Sequence, residues 1–479
     1  AYSGQILNYH LALGEGRQAR LHFHIAADPS SVSTVDPTQL REAVNEAIRS
    51  WPEKLRLGLE ETVSPETAIE LVDRYGGAFP PEYVAATSVS TAVQDIVALE
   101  HVRTTGEQRV TLVELEPVRA NSCWLTVFDL GSTYALSDVM PVLENFGFRV
   151  ERAEAHLLTV RGEEVPLTIH SFLVGVPPEW EVDLRAAEPR VEQALHAVRM
   201  GWAENLAVNR LILSAGLTWR EVAAIKAYGA YAFRIGAVSS RLALRRAVGY
   251  PRAARLLHEI FSARFDPELD GTRDATISGL IDAFHEALDR VDDIEDDRTL
   301  RRLLNLVVST VRTNYFQRRF RENPEVPIAL KFDCRNIEVM PEPRPRHEVW
   351  INSARTEGAH LRMGDVARGG LRWSDRTEDF RVEVLGLVKT QQVKNAVIVP
   401  EGAKGAFVVS RPPADRAQLG EAGVTSYRDF VSGLLDVSDN VVGERIVPPP
   451  DTVVWDGEDP YLVVAADKGT AALSDTANS

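Results

Sequence analysis

From about residue 186 to 322 the sequence reads as helix after helix, while the stretches on either side mix strands with helices. At 479 residues the chain exceeds a single hydrophobic core, so about three domains are expected. Inside the block, Thr218-Trp219-Arg220-Glu221 has the form of a capping box, and Asp270-Gly271 punctuates. The acidic run 289–297 lacks the ligand spacing and the glycine of a calcium loop, so it reads as a solvated helix start. Trp202 and Trp219 are expected as core anchors.

Upstream, QILNYHLAL and RLHFHIA are strand-like runs around the turn GEGRQ, and Asp36-Pro37 and Ser64-Pro65 each open a helix. His22 and His24 alternate with apolar residues, so both face one side of a strand. With no third ligand nearby they read as a surface or packed pair, and no metal is expected. Residues 109–175 run as two strands, the helix ALSDVMPVLENFGF and two more strands, a small α+β module with an antiparallel sheet. This order resembles an ACT-type regulatory module. Its FDLGS turn suits either a small ligand or an ordinary strand-to-helix connection. The proline-rich stretch 323–346 reads as a linker. The fold class is therefore α+β and α/β multidomain, divided as 1–105 (α+β), 106–182 (ACT-like), 183–325 (helical) and 326–479 (α/β).

A net charge of -16 argues against a general affinity for nucleic acid or an anionic membrane. No uninterrupted apolar stretch approaches the roughly 18 residues of a membrane helix, and the first residues lack the pattern of a secretory signal. Two cysteines, Cys123 and Cys334, build no disulfide framework or thiolate metal site and fit a reducing, cytoplasmic setting. A start without methionine and a stop at DTANS read as cuts in a longer protein. Of 53 basic residues only seven are lysine, and four of these, Lys389, Lys394, Lys404 and Lys468, lie in the last quarter. Lysine can lose its proton and arginine effectively cannot, so this bias directs attention to amine chemistry there.

Residues 347–410 carry the strongest pattern. Arg368-Gly369-Gly370 lets backbone approach a ligand or another strand, and Ser374 or Asp375 can cap a helix whose stripe is Phe380, Val384, Leu387 and Gln391. Lys394 ends that helix, Ala396 to Val399 reads as a buried strand, and Lys404 follows in the small-residue loop Gly402-Ala403-Lys404-Gly405. Arg368, Lys394 and Lys404 can thus converge on one pocket edge. Arginine there suits a carboxylate, and lysine among like charges suits acid–base work. The phosphate-loop pattern GxxxxGK[ST] is absent.

RGGLRWSDR, VLGLVKTQQVKNAVIVPEGAKGAF and DPYLVVAADKGTAALSDTAN resemble, in order, motifs of the large NAD-specific glutamate dehydrogenases. The resemblance is strong over 347–479. It implies oxidative deamination of L-glutamate to 2-oxoglutarate and ammonia, and makes 326–479 the substrate-binding half of a dehydrogenase. By motif, Lys404 would activate water and the substrate amine, and Asp467 would shuttle protons. Lys394 would bind the α-carboxylate, and Arg368, beside Gly369 and Gly370, the side-chain carboxylate. Ala406 stands where the family more often has glycine, and its Cβ is either harmless or crowds an approaching ligand. No GxGxxG follows a strand, so NAD is expected to bind mainly to a Rossmann domain absent from this chain, which alone should be inactive. Family membership further implies a homo-oligomer, and the ACT-like portion an amino-acid effector or regulatory protein. The alternative from another class is an amino-acid-sensing and assembly module with an incomplete catalytic half.

Overall fold

The structure is a computed structural model and describes the chain except residues 1–3, 14–18, 28–35, 116–120, 132–134, 239, 241–244, 247–248, 270, 396–400, 467–472 and 474–479. It divides into two compact units. The first comprises 1–109, 128–132 and 155–169, and the second comprises the remainder.

In the first unit, β1 (Gly4–Leu13) and β2 (Ala19–Ala27) form the expected antiparallel hairpin, with His10 opposite His22 and their rings 6.5 Å apart. Asp36 caps the helix Pro37–Ile48 by accepting from the Thr38 amide, and Ser64 caps Pro65–Tyr75 by accepting from the Thr67 amide. Leu55, Tyr75, Tyr83, Ile96 and Leu99 from successive helices close a core with Phe128, Leu158 and Ile169. Inside it, the Tyr83 hydroxyl donates to buried Asp95 at 2.5 Å, and burial pushes that carboxyl up to about 6.

The ACT-like module follows as β3 (Arg109–Glu114), β4 (Ser122–Leu130), the helix Leu136–Phe146, β5 (Arg149–Leu158) and β6 (Leu167–Gly175), with sheet order β3-β4-β6-β5. In the FDLGS turn, Gly131 sits at φ 70° and its amide donates to Pro166 O at 2.8 Å. A Cβ at Gly131 would run into Val165, which fixes glycine there. Ser132 lies outside the described residues.

Further along the second unit, helices Leu184–Arg199, Trp219–Arg234, Pro251–Phe265, Arg273–Leu288 and Ile294–Ser309 realise the helical block. Thr218 and Glu221 make both bonds of the capping box, and Asp293 caps the helix that follows the acidic run.

The last four of these helices lie on a seven-stranded mixed sheet, while Leu184–Arg199 packs in the core of the ACT-like module. The strands of the sheet are β7 (Thr310–Thr313), β8 (Ile328–Asp333), β9 (His347–Asn352), β10 (Thr356–Arg362), β11 (Arg368–Trp373) and β12 (Ala403–Val409). After the small hairpin β13 (Asn440–Val442) and β14 (Arg445–Val447), β15 (Val463–Ala466) completes it in the order β15-β11-β12-β10-β9-β8-β7. One face, with Leu330, Trp350, Ala359, Leu361 and Ala406, packs on Phe380 and Val384 of the helix Phe380–Asn395 and on the helical block. The other, with Val349, Ile351 and Phe407, packs on Tyr427, Phe430 and Leu434 of the helix Arg416–Asp436. Covered on both faces, β8 and β9 are buried at every residue.

Two expectations are corrected. The stretch 323–346 is not a linker, because it contains β8, a central strand whose apolar residues fill both cores. The Gly402–Gly405 segment is not a loop either: β12 begins at Ala403, so Lys404 stands in a strand, opposite Leu361 of β10. The expected strand 396–399 lies outside the described residues.

Candidate active site

Strand β12 runs antiparallel to β10 and parallel to β11, with Leu371 beside Gly405 and a bridge between Arg368 and Gly402. Side chains alternate across a strand, so Arg368 in the row of Gly402 and Lys404 two residues on share one sheet face. That face is the one covered by the helix Phe380–Asn395, whose last turn carries Lys394. Arg368 is exposed and Lys404 half-buried. The structure therefore brings together the strands of Arg368 and Lys404 and the helix that ends at Lys394. Asp467 lies outside the described residues, directly after β15, which pairs parallel to β11 with Ala466 beside Leu371.

The glycines make room for protein. A Cβ on Gly369 would overlap the Ala403 carbonyl oxygen, so glycine here lets β11 close on β12. One on Gly405 would come within 2.6 Å of Leu371 and 3.2 Å of Phe430, and one on Gly402 within 2.5 Å of the Gln391 side chain. Gly370 pairs with Ala465 of β15. The methyl of Ala406 is buried in the core beside Ala359.

Three features were not read from the sequence. Gln391, taken only as part of an apolar stripe, lies against Gly402, and its Oε1 is buried with no hydrogen-bond partner. Glu383, in the first turn of the helix Phe380–Asn395, accepts from Ser374 Oγ at 2.9 Å and pairs with Arg372 at 3.1 Å, which pins the end of β11 to that helix. Ser374 Oγ also accepts from the Arg376 amide, but the helix itself starts only at Phe380.

The third is a buried ion network on the opposite face. Lys331 pairs with Asp456 at 2.5 Å and Asp459 at 2.7 Å, Arg362 with Asp459 at 2.7 Å, and Arg312 with Asp439 and Asp456 at 2.5 Å each. Lys331 and Arg312 are fully buried and Arg362 nearly so, so three cations and three carboxylates neutralise one another out of water. Burial raises the Asp459 carboxyl, but Lys331 and Arg362 outweigh it and hold it below the ordinary range. His347 is pushed down to about 4 by burial and then by Lys331. His360 is pushed down to about 3 by burial and then by Arg362. The network fastens the segment leading into β15 across β7, β8 and β10, one strand from Lys404.

Chemically, the edge of this face carries the exposed cation Arg368 and the half-buried cation Lys404, suited to carboxylates, and a buried acceptor in Gln391. Among the described residues it does not offer a dinucleotide cradle, since the space over Gly369, Gly402 and Gly405 is taken by Ala403, Gln391 and Leu371.

Residues 283–479 match the family described as bacterial NAD-glutamate dehydrogenase, catalytic domain. Residues 203–267 and 59–102 match glutamate dehydrogenase helical motifs 3 and 2, and 110–187 and 1–52 its ACT3 and ACT2 domains. The chain is 40% identical to an NAD-specific glutamate dehydrogenase of Halomonas elongata, over 98% of this chain and 29% of that protein. It is 39% identical to one of Pseudomonas aeruginosa, over 96% and 29%, and 37% identical to one of Mycobacterium tuberculosis, over 100% and 31%. It thus spans under a third of the length of these relatives.

Proposed function

The chain belongs to the NAD-specific glutamate dehydrogenase family, and from that premise we propose that it supplies the substrate-holding part of an enzyme that deaminates L-glutamate oxidatively to 2-oxoglutarate and ammonia. The observation that carries this reading is the shared sheet face of Arg368 and Lys404 under the helix that ends at Lys394.

Glutamate presents two carboxylates and one amine, and the site offers a partner for each. Arg368, exposed at the start of β11, takes the side-chain carboxylate, and Lys394 takes the α-carboxylate. Gln391 Oε1, otherwise unpartnered, accepts from the substrate ammonium. Once Cα has been oxidised to the imine, Lys404 takes a proton from the attacking water, and Asp467 delivers one to the departing nitrogen. The described residues do not fit NAD, so no step is assigned to them through it, and the dinucleotide is held elsewhere in the enzyme. The ACT-like module receives an effector, and the enzyme assembles as a homo-oligomer in the cytoplasm. Among the described residues no helix is long and apolar enough to cross a membrane.

Titration calorimetry of this chain with 2-oxoglutarate tests the reading. Binding should weaken at least tenfold in Arg368→Ala and in Lys394→Ala. Undiminished binding in both variants would overturn it.

A further inference from the structure

A cleft in the larger unit shares no lining residue with the lysine site. It lies between the 202–209 segment, the helix Trp219–Arg234 and the turn joining β9 to β10. Its two compartments, of about 50 and 260 Å³, meet at Glu204, Leu206, Val208 and Lys226. Trp202 and Trp219, expected as core anchors, are only half-buried and line the smaller compartment, although Trp219 also packs on the ACT-side core.

The charges of the cleft do not balance. Four cations, Arg220, Lys226, Arg234 and Arg245, line it against two carboxylates, Glu204 and Glu357. Both carboxylates are engaged: Glu204 by Lys226, with Arg411 3.8 Å away, and Glu357 by Arg234 at 2.5 Å. Of the two cations left over, Arg245 is exposed, so water meets its charge. Arg220 is half-buried. Its guanidinium lies over the rings of Trp219 and Phe320, at 4.7 and 5.1 Å, and reaches only the Arg321 carbonyl, at 3.3 Å. Burial pulls its pKa down, with no carboxylate among the described residues to oppose it. Asn352, 3% exposed at the end of β9, lines the same compartment, and its Nδ2 has no hydrogen-bond partner. A water molecule can satisfy that amide, but it cannot offset the guanidinium charge. The larger compartment, beyond Lys226, is walled by Val208, Ile225 and Phe233.

We propose that this cleft binds a monocarboxylate with an apolar tail, its carboxylate against Arg220 and Asn352 and its tail along the larger compartment. The charge count selects the class. An ammonium group finds no free partner, because Glu204 and Glu357 are both engaged, which sets a zwitterion behind the plain acid. A second carboxylate would lie along the apolar wall, with only the solvent-screened charge of Arg245 to meet it. An uncharged head group would leave Arg220 uncompensated. The bound carboxylate joins the first turn of the helix Trp219–Arg234 to the end of β9, and β9 pairs with β10, the neighbour of the strand of Lys404. Binding does not depend on the glutamate reading and is measured apart from catalysis.

The test is titration calorimetry of the 479-residue chain with a series matched in carbon chain, hexanoate, hexanamide, L-norleucine and adipate. Hexanoate should bind, and at least tenfold more tightly than each of the others. Its affinity should fall at least tenfold in Arg220→Gln and in Asn352→Leu and survive Lys394→Ala, with thermal melts to check that the variants fold. No hexanoate binding at millimolar concentration would overturn the proposal. So would a smaller preference over any of the other ligands, a smaller loss in either folded variant, or binding that Lys394→Ala abolishes. If Arg220→Gln or Asn352→Leu fails to fold, the other decides by the same criterion. If neither folds, the ligand series and Lys394→Ala decide.

Discussion

Arg362 donates through Nη1 to both carboxylate oxygens of Asp459, at 2.8 and 2.7 Å, although the two residues are 97 positions apart. Lys331 reaches the same carboxylate, so removing Asp459 leaves Arg362 without its ion-pair partner and Lys331 with Asp456 alone, in a buried place. Asp459→Asn should therefore destabilise the larger unit by about 3–5 kcal/mol. Urea denaturation of the variant checks this, and a loss below about 1 kcal/mol would show that water reaches the network.

Gly369→Ala and Gly402→Ala should differ in cost. The first sets a methyl against the Ala403 carbonyl, which is backbone and cannot swing aside, while the second meets only the end of the Gln391 side chain. Gly369→Ala should cost about 1–3 kcal/mol or more, and Gly402→Ala clearly less. Paired thermal melts compare them, and equal costs would contradict the strand contact described for β11.

In the complete enzyme, Gln391→Leu should raise the KM for glutamate about tenfold or more while leaving stability nearly unchanged, since the lost Oε1 has no hydrogen-bond partner in the free protein. Arg368→Lys should keep part of the activity and Arg368→Ala little, because lysine preserves the charge but not the fork. Steady-state kinetics against glutamate would show both, and an unchanged KM in Gln391→Leu would remove that residue from the site.

Stability should respond to pH in opposite senses in the two units. His360 has a lowered folded pKa of about 3 against 6.5, so its contribution is present above 6.5 and is lost as pH falls. The loss from His360 alone should be about 3 kcal/mol by about pH 4. Asp95 has a raised folded pKa of about 6 against 3.8, so the smaller unit should lose up to about 3 kcal/mol as pH rises through that window. Asp95→Asn should flatten the second slope and His360→Leu the first. Unfolding followed separately in each unit by hydrogen exchange distinguishes them.

Much of the fold was legible because its signals are local. The caps at Asp36, Ser64 and Thr218, the hairpin at the start and the helix leading to Lys394 all rest on neighbours a few residues apart. Strand β8 was missed because prolines flank it and because Lys331 and Asp333 interrupt its apolar run. What makes Lys331 tolerable there is Asp456 and Asp459, more than 120 residues later, and no local pattern announces such a partner. The site was half legible for the same reason. The motifs named Arg368, Lys394 and Lys404, but that Gly369, Gly402 and Gly405 are held by contacts within the protein follows only from strand register.

The strand order has a consequence for how the chain is made. From β7 to β10 each new strand pairs with the one just synthesised, whereas β11 must wait for β12 to be laid beside β10 before it has an edge to join. On a ribosome delivering residues in order, the antiparallel half can be complete while Arg368 has already emerged with nowhere to pair. Arg368 and Lys404 are thus brought together late, on a scaffold whose antiparallel half is already formed. Pulse-labelled exchange during refolding should find β8 to β10 protected before β11.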